Sequence, residues 1–224
     1  MVDERRDWQA HPSYTHDREV GAVTELVEDA NRVLFAGDHG AVLAAFMAAS
    51  YDTAHLVTQA DYDSPDGVDH HYHVSSYESL PDLTPYDAII TPWLDWPRRP
   101  DEAVKQFVDA LADDGCLIVE TPDESSQHAQ VIQMLRQRTT GSMFMERLRL
   151  LEPLTTAGTV ERYQVRTAYH FQTIDDFILY FNQKSNAEYG EKLSSDTKDE
   201  LRELGEQLGF ERLEERSVLL RVSP

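Results

Sequence analysis

The first stretch with chemical potential is 31–47, NRVLFAGDHGAVLAAFM: an apolar run, a glycine turn, then a small-residue helix pattern. Strand–glycine turn–helix units open α/β domains that hold nucleotide cofactors, because glycine admits positive φ and lets backbone approach a ligand. The turn reads Gly37-Asp38-His39-Gly40-Ala41. Asp38 would repel a pyrophosphate, which argues against a dinucleotide and suits a cofactor carrying cationic groups. His39 places an imidazole where bare backbone is expected. It can be a wall of the pocket, a general base, or the mark of a loop that has lost its cofactor.

Other candidates are weaker chemically. His71 and His73 share one face of a predicted strand, but no further ligand accompanies them; a polar strand start is expected and no metal site. The single cysteine, Cys116, excludes an internal disulfide and a thiolate cage, and reads as a core residue. Tyr163, Tyr169, Phe177, Tyr180 and Phe181 can form either a lid over a site or ordinary core.

These residues need a scaffold. Val20, Val23, Leu26 and Val27 recur at helical spacing within 17–30. Strands are expected at 32–36, 55–59, 71–76, 86–91 (YDAIIT) and 116–120, the last entered by an Asp114-Gly115 turn. Helices are expected at about 42–50 and 100–113, the second burying Val104, Phe107, Val108 and Leu111. Further on, the pattern predicts helices at about 126–138 and 143–157, with Gly158 as a stop, then a strand within 161–171. Helices at 174–183 and about 196–208 and a last strand at about 214–222 complete the chain. Short apolar strands alternating with helices imply a parallel sheet covered on both faces. Right-handed crossovers bring the carboxyl ends of the first and fourth strands together, where open α/β sheets bind ligands. One domain over 1–224 is expected, with 1–16 as a loose N-terminal arm.

Composition sets the surroundings. Asp and Glu number 41 against 20 Lys and Arg, a formal charge of −21. Four of those cations are lysines, Lys105, Lys184, Lys192 and Lys198, so 20 − 4 leaves sixteen arginines. Spread over the whole chain, this charge fits a salt-adapted cytosol, where the screening length falls to about 3 Å at molar salt. The alternative is simply an acidic protein from a low-salt cell. No basic stripe exists to neutralise phosphates, so nucleic-acid binding is not expected. No apolar run approaches the roughly 20 residues of a membrane span, and the first residues lack a signal-peptide apolar segment; a cytoplasmic location is expected.

Three stretches together resemble the class I S-adenosylmethionine-dependent methyltransferases, in particular their small-molecule branch. RVLFAGDHGAVLAAFM is similar to the first motif. YDAIITPWLDWPRRPDEAVKQFVDALADDGCLIVETP is similar to the aromatic-Asp-apolar strand, Pro-Asp helix start and glycine turn into a strand ending Glu-Thr-Pro. LLEPLTTAGTVERYQVRTAYHFQTIDDFILYF is similar to the segment that follows the core. The resemblance implies a Rossmann-like, doubly wound α/β fold: a seven-stranded sheet of order 3-2-1-4-5-7-6 with the last strand antiparallel.

It also implies roles. S-adenosylmethionine would lie along Ala36, Gly37, Asp38 and Gly40, with Asp61 (or Asp63) on the ribose and Ser76 and Tyr77 near the adenine. Thr91, Pro92 and Trp93 would face the transferred methyl, with Trp96 as a further apolar wall. His39 or Asp95 would act as catalytic base where a small-molecule acceptor must lose a proton. The chain departs from the family's pattern at Phe35, where an acid is usual, and at His39 and Ala41, where glycines are usual. Ser76 likewise stands in an acid's place. The expected activity is methyl transfer. The alternatives are a non-catalytic methyltransferase-like binder and a nicotinamide dehydrogenase.

Overall fold

A computed structural model describes residues 17–59, 63–81, 85–92, 99–123, 125–136, 152–189 and 192–224. The order is α1 (Asp17–Leu26), β1 (Arg32–Ala36), α2 (Asp38–Met47), β2 (Thr53–Thr58), β3 (His70–His73), β4 (Tyr86–Pro92), α3 (Pro100–Asp109) and β5 (Leu111–Pro122). After these come α4 (Gln127–Arg136), β6 (Thr159–His170), α5 (Ile174–Tyr189), α6 (Ser195–Leu208) and β7 (Arg212–Ser223). The strands form one seven-stranded sheet, β3-β2-β1-β4-β5-β7-β6, with β7 antiparallel, as expected.

Alternation along each strand explains why helices cover both faces. Val33 and Phe35 of β1, Ala88 and Ile90 of β4, and Cys116 and Ile118 of β5 pack with Val23 of α1, Val27 just after it, and Leu43 and Met47 of α2. Leu34 and Ala36, Ile89, and Leu117 and Val119 pack on the other face with Ala103, Val104 and Phe107 of α3. Each fully buried Val, Leu, Ile, Phe or Met among them contributes about 1.5–3 kcal/mol, so the two clusters hold the sheet centre firmly.

Several boundaries differ from the sequence reading: the first helix ends at Leu26, β3 is His70–His73 and α5 runs to Tyr189, and three further differences have a local physical cause. First, α2 starts at Asp38 rather than near Val42, because Gly37 alone makes the turn and caps the helix. Second, α3 ends at Asp109, and Leu111 begins β5 instead of extending the helix. Third, the expected Asp114-Gly115 turn is an irregularity inside β5: Tyr86 pairs with Leu111 and Ala88 with Cys116, so two residues of β4 face five of β5. A Cβ on Gly115 would lie 2.8 Å from the Tyr86 carbonyl oxygen, so the bulge needs glycine. In the segment expected as helix 143–157, residues 152–157 are helical and the remainder lies outside the described residues.

The chain divides into two compact units. The larger takes its described residues from 16–121, 144–165 and 217–224, the smaller from 122–143 and 166–216. The smaller unit has its own core: Val131 and Ile132 of α4, Phe171, Phe177, Tyr180 and Phe181, with Leu201 of α6 and Leu213. The aromatic group therefore serves largely as core; Tyr163, by contrast, is exposed. Among the described residues no helix is long and apolar enough to cross a membrane.

Candidate functional site

Strand register gathers the candidate residues of the larger unit at one edge of the sheet. Ala36 of β1 lies beside Val57, Phe35 beside Ile90, and Pro92 of β4 beside Glu120 of β5. This is the carboxyl-end edge at the β1/β4 switch point, where doubly wound sheets bind ligands.

Gly37 opens the edge. Its backbone sits at φ 85°, ψ 173°, a region essentially reserved for glycine, and it is the N-cap of α2. Its N–H donates to the Val57 carbonyl (2.9 Å) and its own carbonyl accepts from Ala41 N–H (3.0 Å). One residue therefore turns the chain from strand to helix. The first amides of α2 are left at the strand ends, where a helix carries partial positive charge.

His39 is the second residue of α2. Its Nε2 donates to Glu19 Oε1 at 3.0 Å, since an ionised carboxylate only accepts. Glu19 comes from α1 and is fully buried, while the His39 side chain is 24% exposed. An isolated buried carboxylate costs several kcal/mol of desolvation, so the imidazole is a structural partner for Glu19 as well as a candidate site residue. Glu120, 1% exposed and two residues before the end of β5, lies beside this pair.

The other expected residues divide. Thr91 is buried at the end of β4, its hydroxyl 3.5 Å from the Ile118 carbonyl. Asp38 and Pro92 have their backbone in α2 and β4. Gly40 lies in the first turn of α2, where a Cβ would stand 3.4 Å from the Phe35 carbonyl carbon. Ser76 is half-buried and closes its own turn, accepting the Glu78 N–H at 3.1 Å. Tyr77 is buried in the core against Phe107, ring centroids 6.1 Å apart. Asp63 is exposed. Asp61, Trp93, Asp95 and Trp96 lie outside the described residues.

Two residues at this edge escaped the sequence reading as site candidates, Glu19 and Glu120. Each carried a signal. Glu19 puts a charge one helical turn before Val23 on the apolar face of α1, and Glu120 ends the apolar run Cys116-Leu117-Ile118-Val119.

Two other features compare less well. A cleft of about 780 Å³ lies at the opposite edge, among Glu25–Asn31, Asp87, Asp113–Cys116, Tyr163 and Arg221. There Asp87 accepts the N–H groups of Asn31 and Arg32 (2.8 and 2.9 Å), a structural task. In the smaller unit, His128 Nδ1 and Glu215 form a buried pair at 2.5 Å, with the imidazole stacked on Tyr169.

No family model matches the sequence, and no curated protein sequence matches it. Solved structures do match. A provisionally assigned methyltransferase from Bacillus halodurans C-125 superposes with a TM-score of 0.59 at 10% identity, covering 92% of this chain and 98% of that one. The N-methyltransferase NodS from Bradyrhizobium japonicum WM9 gives a TM-score of 0.52 at 12% identity, covering 96% and 98%. Its complex with S-adenosyl-L-homocysteine gives 0.50 at 10% identity, covering 96% and 90%. At such identities the likeness is one of architecture, and the chain has the fold of the class I S-adenosylmethionine-dependent methyltransferases.

Proposed function

We propose that the chain is an S-adenosylmethionine-dependent methyltransferase acting on a small-molecule acceptor. The observation that carries this reading is Gly37, whose glycine-only backbone leaves the end of β1 bare beside the first amides of α2. That cradle fits the cofactor's methionine end, with Ala36, Gly37, Asp38 and Gly40 holding it through backbone. Thr91 and Pro92 of β4 would border the transferred group, with Trp93 beyond them. Ser76, Tyr77 and either Asp61 or Asp63 are the proposed adenosine side. When bound, the cofactor supplies a methyl carbon made electrophilic by its sulfonium.

The chain's own contribution is mainly positional: holding donor and nucleophile in line can supply roughly 7–11 kcal/mol of barrier reduction. His39 is oriented by Glu19, as an acid orients a catalytic imidazole, so it can take a proton from an acceptor that must lose one; Asp95 is the other proposed base.

A second reading has a specific observation behind it. Phe35 stands where the family's acid would, fully buried in the core, and His39 stands where a glycine would. A binder without activity would look the same at these positions. Calorimetric titration with S-adenosylhomocysteine in molar KCl tests the cofactor site: saturable one-to-one binding is expected, and no detectable heat with folded protein would overturn it. Methyl release from labelled S-adenosylmethionine into candidate acceptors then separates enzyme from binder.

A further inference from the structure

We infer that Glu19, His39 and Glu120 form a binding site for a first-row divalent transition-metal ion. The inference goes beyond the methyltransferase reading and stands without it. A ring nitrogen of His39 and one carboxylate oxygen each of Glu19 and Glu120 lie within 4.8 Å of one another, and His39 and Glu19 are already 3.0 Å apart. Ligands about 2.0–2.2 Å from a metal ion are separated by about 3.0 Å when cis in an octahedron and about 3.4 Å in a tetrahedron. The His39–Glu19 separation equals the octahedral value, and the Glu120 carboxylate, within 4.8 Å of the other two ligand atoms, closes the site by a side-chain rotation towards them.

Position supports the chemistry. The three ligands come from three regular elements, α1, the first turn of α2 and the end of β5, and the glycine turn at Gly37 fixes where the helix begins. Ligands on packed elements hold their geometry better than ligands on loops. Glu19 and Glu120 are 0% and 1% exposed, whereas His39 is partly exposed and offers an entry path.

Charge favours a cation here: two buried carboxylates carry −2, which one divalent ion cancels, and this matters most where water is excluded. One imidazole with two carboxylates suits Mn²⁺, Fe²⁺ or Zn²⁺, since all-oxygen sets suit Mg²⁺ and Ca²⁺ and thiolates suit Cu⁺. Three protein ligands leave further positions for water or an oxygen of a small molecule.

The test uses the full-length protein, dialysed against chelator and then titrated with Mn²⁺ in molar KCl, which suppresses diffuse binding to an acidic surface. Calorimetry and the loss of free Mn²⁺ electron paramagnetic resonance signal should both report one ion per chain. Glu19→Gln, His39→Gln and Glu120→Gln should each weaken binding at least tenfold. Asp175→Asn, at an exposed acid of α5, should leave it unchanged. Where a buried-site variant loses its cooperative melt, the wild type supplies a second readout. Bound Mn²⁺ should broaden the His39 imidazole resonances at a lower concentration than those of His170, which is exposed on β6. Absence of a saturable site, unchanged affinity in the folded variants, or equal broadening of His39 and His170 would each overturn the inference. S-adenosylhomocysteine binding, measured on the same samples without metal, fails or succeeds separately.

Discussion

Gly37 is the position where one atom more should decide binding. Its φ of 85° and ψ of 173° cost a side-chain-bearing residue on the order of 1–3 kcal/mol. Gly37→Val would also put a branched group where backbone must approach a ligand. Binding of S-adenosylhomocysteine should drop more than tenfold while the far-UV circular dichroism spectrum persists. His39→Gly restores a loop closer to the family's pattern and should leave that affinity equal or improved. If the wild type binds nothing and His39→Gly does, the natural loop has given up the cofactor and the enzyme reading fails. Cys116 offers a prediction of another kind. Burial pushes its thiol above the ordinary cysteine range, with the Arg221 guanidinium pulling the other way, and the residue is 4% exposed. A protonated, enclosed thiol is a poor nucleophile. A disulfide reagent at pH 8 should therefore leave the native protein unmodified and titrate one thiol per chain after denaturation. Fast reaction of native protein would mean that β5 opens far more readily than its packing indicates.

At the scale of elements, the His128–Glu215 pair joins α4 to β7 inside the smaller unit, both side chains buried and the imidazole stacked on Tyr169 at 4.7 Å. Removing one partner strands the other in a medium that solvates it badly. Glu215→Ala should accordingly cost about 3–5 kcal/mol in urea unfolding, whereas replacing both residues with apolar ones should cost less than the sum of the single changes. A loss under 1 kcal/mol would show that water reaches the pair. Elements such as β1, β4 and the core of β5 were legible in the sequence because apolar runs bounded by Gly, Pro and Asp encode them locally. Sheet order followed through the resemblance carried by YDAIITP and GCLIVETP. The start of α2 was not legible, because it depends on a backbone angle at Gly37 and not on a capping side chain. The length of β5 was hidden too: Asp113-Asp114-Gly115 has the composition of a turn, and only the register against β4 absorbs it as a bulge. Harder still was the meeting of Glu19 with Glu120, since no periodicity links positions 101 residues apart (120 − 19). Three-dimensional closure made that contact, and a charge on an apolar helix face was its one local trace.

The whole molecule carries a charge of −21 on 224 residues, and its tolerance of that charge is a property of no single element. Ion pairs among the described residues do little to offset it. Arg202–Asp175, Arg221–Glu161, Arg216–Glu214, Arg99–Glu102 and Lys105–Asp109 are all partly or largely exposed. Pairs of that kind contribute about 0–1 kcal/mol each. Repulsion among the remaining carboxylates acts on the compact state more than on the expanded one, because folding brings like charges closer. Added salt shortens the screening length from about 10 Å at 0.1 M to about 3 Å at 1 M, and so relieves the folded state preferentially. We propose on this ground that the protein is adapted to a salt-rich interior. Thermal melts followed by circular dichroism should show a weak or absent transition at 0.1 M KCl and a cooperative one at molar KCl. The steepest gain should fall below 1 M, where screening changes fastest; a slower rise above it would reflect exclusion of salt from the protein surface. Guanidinium chloride cannot serve as the denaturant in such a series, since it screens as it unfolds; urea at fixed KCl separates the two effects. A full, cooperative melt at 0.1 M KCl, unchanged by added salt, would remove salt adaptation as the reason for the acidic surface.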